Sequence, residues 1–172
     1  MILGLSFETF TLLHVVISLV GIGSGLVVLV GMLSGKRLPG WTALFLATTV
    51  LTSVTGFLFP ITAFTPALAV GALSLAILAA ALLALYVFRL AGTWRPIYVM
   101  SAIAALYLNV FVAVVQAFQK LEPLQPLAPT QSEPPFLLAQ AGVLALFLIV
   151  GVLAVMRFRP DSVAGLQAAL RS

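Results

Sequence analysis

Apolar and polar positions alternate along the chain in long blocks, and five of these blocks are apolar: Phe10 to Leu33, Trp41 to Phe59, Ala67 to Leu90, Pro96 to Gln119 and Phe136 to Met156. Each is between 19 and 24 residues long. An α-helix rises about 1.5 Å per residue and the hydrocarbon core of a bilayer is about 30 Å thick, so every block is of spanning length. The pattern predicts an all-α fold, a polytopic membrane protein built as a five-transmembrane-helix bundle over residues 1–156. The second and third spans are divided at Pro60 and Pro66, which frame a tight turn in an otherwise apolar segment. Proline interrupts a helix by removing a donor and crowding the preceding turn.

Residues 120–135 form a connection that holds five of the ten prolines. Proline fixes φ, which stiffens the segment and suits it to act either as a lid or as a rigid connector. After the fifth span, residues 157–172 make a tail. Val163, Leu166 and Leu170 follow one another at spacings of three and four there, the pattern of a short helix lying on the membrane surface.

Composition strengthens this picture. Hydrophobic residues make up 63% of the 172 and charged residues 7%, against roughly a quarter charged in a soluble domain. Cysteine is absent, which removes disulfides, thiolate nucleophiles and Cys-based metal sites together. The net charge of +4 sits in short connections rather than in a patch, so it reads as a topology signal and not as a nucleic-acid surface.

Charge also sets the orientation. Lys36, Arg37, Arg89, Arg95, Arg157, Arg159 and Arg171 share one side, seven of the eight basic residues, and only Lys120 falls on the other. The positive-inside rule makes the seven-residue side cytoplasmic, with the N-terminus out and the C-terminus in. Trp41 and Trp94 mark the same inner connections, and Arg37-Leu38-Pro39-Gly40-Trp41 is echoed by Arg89-Leu90-Ala91-Gly92-Thr93-Trp94. No basic residue precedes the first apolar block, which instead carries Glu8 before it. The block is expected to be a retained helix rather than a cleaved signal. A helical bundle of this kind is expected in a bacterial inner, or plasma, membrane.

Candidate chemistry is sparse. No Asp, Glu, Lys or Arg lies well inside a span, so the acid relays and gating charges of pumps are missing. On the first helix Thr11, His14, Ser18, Gly21 and Gly25 share one face at spacings of three and four. Gly21 and Gly25 form a GxxxG pair, which lets helix backbones approach closely in lipid. Thr52 and Thr55 lie on one face of the second helix, Asn109, Gln116 and Gln119 on the fourth, and Gln140 near the outer end of the fifth. Carboxamides in hydrocarbon must find partners, and most of these residues fall in the outer half of the membrane.

These positions predict an outward-facing polar pocket lined by His14, Ser18, Thr52, Thr55, Asn109, Gln116, Gln119 and Gln140, with Glu133 in the loop above. His14 is expected to reach Gln116 or Gln140. Such a pocket binds a small molecule, lipid, quinone or cofactor, although no cofactor is named by any motif. Phosphate-binding, hydrolase and metalloprotease motifs are missing, so an enzyme, which would have to use His14 with Glu133 or Glu8, is the least supported class. Two rivals remain: an accessory subunit of a larger membrane complex, and a small transporter acting as an oligomer. Expected partners are membrane lipid and either other membrane proteins or further copies of the chain.

Overall fold

The computed structural model describes residues 2–60 and 66–159. Five helices follow in order: α1, Phe7–Leu33; α2, Pro39–Gly56; α3, Pro66–Leu82, extended by a π-helical turn over Leu83–Val87; α4, Trp94–Lys120; and α5, Pro134–Arg157. A short 3₁₀ turn, Gln125–Leu127, lies between α4 and α5. No β-strand occurs among the described residues. The turn expected at 60–66 and the tail helix expected beyond Pro160 fall on 61–65 and 160–172, outside the described residues.

Local chemistry accounts for the helix ends. The Ser6 hydroxyl accepts the Thr9 N–H at 3.1 Å, capping α1. α2 and α5 open on prolines, whose fixed φ suits the first helical turn and whose missing N–H would be unpaired there in any case. α1 closes through Gly35 at φ +68, with the Lys36 N–H bonded to the Gly31 carbonyl at 2.8 Å. This is the left-handed glycine stop.

Four helices are long and apolar enough to cross a membrane: α1, α3 from Leu68 through Val87, α4 and α5. α2 is not among them, so of the five expected spans four stand on length and apolarity. Its 18 residues reach about 27 Å, and Thr42, Thr48, Thr49, Thr52, Ser53 and Thr55 dilute its apolar character.

α4 is the central helix and packs against each of the other four, while α5, α1, α2 and α3 follow round it. Val99, Ala102, Ala105 and Leu106 of α4 are buried, as are Ala81 of α3, Ala84 of the π turn and Ala154 of α5. Small residues at these crossings bring the backbones close, which is where helices gain dispersion energy in lipid. The outer surface is apolar as well, with Leu12 and Leu19 of α1 and Leu138, Leu148, Ile149 and Val152 of α5 exposed.

Gly21 and Gly25 face inward, not outward. A Cβ on Gly25 would stand 2.6 Å from Leu106 Cδ1 and 2.9 Å from the Phe45 ring. One on Gly21 would meet the Thr48 and Thr49 hydroxyls at 3.3 and 3.4 Å. The GxxxG pair is therefore spent on the crossing of α1 with α2 and α4 inside this chain.

Candidate functional site

The structure pairs the expected polar residues seam by seam. His14 Nδ1 lies 2.8 Å from Thr55 Oγ1, so its partner comes from α2 and not from Gln116 or Gln140. Thr55 donates its single proton to the Leu51 carbonyl at 2.7 Å. Its oxygen is left to accept, which makes His14 Nδ1 the donor. Phe59 covers the pair, with its ring centroid 5.2 Å from that of His14 and 5.1 Å from that of Phe10.

A second knot lies deeper, where Asn109 Nδ2 of α4 donates to Thr49 Oγ1 of α2 at 3.2 Å beside the bare backbone of Gly21. Ser53 of α2 meets Ser74 of α3 at 3.1 Å. Gln140 is buried between α4 and α5, where its Nε2 donates to the Phe111 carbonyl at 3.2 Å. Its Oε1 and the Thr52 hydroxyl are buried without a partner. Ser18 bonds back to the His14 carbonyl at 2.7 Å, the usual way a hydroxyl is satisfied within its own helix. Gln116 and Gln119 are exposed. Of the nine expected residues, His14 and Thr55 meet directly; the others lie in separate seams or on the surface.

The connection between α4 and α5 is built as a cap on α4. Ala128 packs with Phe118 and Phe136 in a small apolar cluster, and Gln131 Nε2 donates to the Val115 carbonyl at 3.1 Å. Glu133 accepts from the Thr130 N–H and hydroxyl and from the Ser132 N–H at 2.9 to 3.1 Å. Desolvation by its neighbours pushes the Glu133 carboxyl up, but these bonds outweigh it and hold the group below its ordinary value. A cavity of about 260 Å³ opens under the cap beside Gln119, Gln125, Thr130 and Gln131.

At the basic end the helices border an open-sided cavity of about 320 Å³. Val28 and Met32 of α1 and Leu85 of the π turn supply apolar walls; Thr42 of α2, Tyr86 of the π turn and Tyr98 of α4 supply hydroxyls. Lys36 and Arg37 stand at its edge, and Phe158, just past α5, completes it. All five helices or their immediate ends thus meet here. Arg95 donates to the Phe158 carbonyl, which ties the start of α4 to the end of α5 and satisfies an orphan carbonyl there.

The approach of α3 to this cavity is irregular. After the π turn Arg89 and Leu90 take φ of 50 and 63, a left-handed conformation that costs a non-glycine residue roughly 1–2 kcal/mol. Leu90 is nonetheless buried, with its N–H on the Ala84 carbonyl at 2.9 Å. π turns and strained residues concentrate at functional sites. None of the residues around this cavity was singled out for binding on sequence grounds, because Lys36 and Arg37 read there as topology signals. Tyr86 and Tyr98, hydroxylated rings near the ends of apolar blocks beside basic connections, are the signal that points to it.

Fold and composition define a helical membrane protein. No family model matches the chain, and neither the curated proteins nor the solved structures compared with it give a match.

Proposed function

We propose that this protein is a ligand-binding membrane bundle that holds a small amphiphilic molecule in the cavity at its basic end. The observation that carries the reading is the convergence of all five helices on one space of about 320 Å³ with hydroxyls set over apolar walls. Ligand sites are concave, mostly apolar, furnished with a few polar groups, and start at about 300 Å³. The polar residues of the outer half act in this reading as clips between helices. α2 crosses the bilayer as a fifth span, and its hydroxyls, Thr52 apart, are tolerated because they bond to their own helix or to α1, α3 and α4. The basic end faces the cytoplasm of an inner membrane.

Native mass spectrometry of the gently purified protein tests the binding. A bound small molecule is expected on the wild-type chain and is expected to be lost from Leu85→Trp, which fills the cavity while leaving every charge in place. Bound mass that survives this substitution overturns the proposal. Stoichiometric co-purifying proteins in place of a small molecule would favour the subunit reading. Topology is tested separately with single cysteines, since the native chain has none. Pro60→Cys and Ser132→Cys are expected to react with an impermeant reagent from outside and Lys36→Cys only after permeabilisation. Equal reactivity at 36 and 60 would mean that α2 does not cross.

A further inference from the structure

The cavity sits where positive potential gathers from independent sources. Lys36 and Arg37 border it. α2 starts beside them at Pro39, with Leu38 as its cap residue and no side-chain oxygen on its first N–H groups, so among the described residues no side chain caps the positive end of its dipole. The acidic residues among the described ones are Glu8 before the first turn of α1 is complete and Glu122 and Glu133 in the outer connection, all remote from the inner end of α1. The walls behind the charges are apolar: Val28, Met32 and Leu85. A positive rim over an apolar interior, between helices at the inner end of a bundle, matches an anionic headgroup attached to hydrocarbon.

On the reading that this cavity is the binding site, we infer that its ligand is an acidic phospholipid of the surrounding leaflet. The phosphate lies against Lys36, Arg37 and the start of α2, and the acyl chains leave past Met32 and Leu85. Arginine suits this role because its planar fork takes two phosphate oxygens at once. Size agrees, since about 320 Å³ is at the lower bound for a ligand cavity and admits a headgroup with the first part of its chains. The remainder of the lipid stays in the bilayer.

The test uses the full chain in detergent with phosphatidylglycerol and phosphatidylcholine of identical acyl chains, read by native mass spectrometry. Wild-type protein is expected to retain phosphatidylglycerol in preference. Each basic residue near a membrane surface is worth about 1 kcal/mol toward an anionic lipid, so Lys36→Gln with Arg37→Gln should reduce retention roughly 10- to 30-fold. Lys120→Gln, at the other end, should leave it unchanged. A preference that persists in the double variant, or that falls equally in Lys120→Gln, overturns the inference. Equal retention of the two lipids by the wild type, both lost in Leu85→Trp, overturns the acidic headgroup while leaving the cavity as the site. Retention of both lipids in Leu85→Trp instead overturns the site itself. Displacement of phosphatidylglycerol by inorganic phosphate alone would show that the site holds a free anion, against the lipid.

Discussion

The two ends of the bundle are closed by opposite means. In the half away from the basic residues polar side chains find partners: His14 takes Thr55, Gln140 takes the Phe111 carbonyl, and the loop from 121 to 133 folds onto α4 through Gln131 and its own Glu133. At the basic end the helices carry tyrosines, leucines and a methionine round an open space. A polar group in hydrocarbon costs too much to be left loose, so it draws a neighbouring helix in and consumes the space beside it. Polar residues scattered over several membrane helices therefore mark contacts between helices more readily than they mark a pocket. The pocket arises where large side chains hold helices apart.

The largest expected effect contrasts tight packing with open packing. Gly25→Leu drives a side chain into Leu106 and Phe45, where even a Cβ stands under 3 Å from both, and should cost about 3 kcal/mol, the upper part of the usual overpacking range. Gly21→Leu meets hydroxyls at 3.3 and 3.4 Å and should cost less, about 1 to 2 kcal/mol. Leu85→Trp, directed into the cavity, should cost under about 1 kcal/mol. Thermal unfolding of the three variants in one detergent gives the order, and a loss at Leu85 matching that at Gly25 would mean the basic end is as closely packed as the middle.

Much of the fold is legible in the sequence, because apolar run length and proline position are local properties. The first run, 10–33, becomes α1 from Phe7 to Leu33, and the fifth, 136–156, becomes α5 from Pro134 to Arg157. The second run is misleading at its end. Phe57, Leu58 and Phe59 are apolar, yet α2 stops at Gly56 and Phe59 turns back onto Phe7, Phe10 and His14. The exit of α3 is unreadable, since neither Arg89 nor Leu90 is a residue type that favours a left-handed backbone. At the site, helical spacing shows that His14 and the glycines share a face but not which helix lies opposite. Sequential elements are usually neighbours, which points to Thr55 of α2 ahead of Gln116 or Gln140. Tyr86 and Tyr98 point to the cavity's end of the bundle, but its shape has no sequence signature because it is a property of how five helices fail to fill a space.

A smaller effect separates two residues of one type on one helix. Thr55 accepts from His14, whereas the Thr52 hydroxyl, one turn earlier, is buried without a partner. Thr55→Val leaves His14 Nδ1 unpaired and should lower stability by about 1 kcal/mol, while Thr52→Val removes an unpaired polar atom and should be neutral or slightly stabilising. Denaturation in mild detergent measures both. Equal losses would show that the polar groups away from the basic end contribute little individually, and His14→Ala combined with Thr55→Val gives their coupling directly.

The smallest effect concerns the cap between α4 and α5 and appears only in acid. Glu133 holds Thr130 and Ser132 through its carboxylate, and those bonds keep its pKa below the ordinary 4.5 despite the opposing desolvation. A carboxyl depressed in the folded state contributes order that is fully present above its unfolded pKa and is lost as pH falls through the folded value. Amide protection at Thr130 and Ser132, followed by hydrogen exchange and corrected for intrinsic rates, should therefore hold steady from neutral pH down to about 4.5 and decline below it. Glu133→Gln should flatten the profile at the lower level. The Glu133 carboxylate makes no hydrogen bond to a helix N–H, although the residue caps α5 through its backbone, so the helix amides should stay protected as the cap loosens. If α4 and α5 lose protection together with residues 130–132, the loop is an integral part of the closure at that end and not a cap laid upon it.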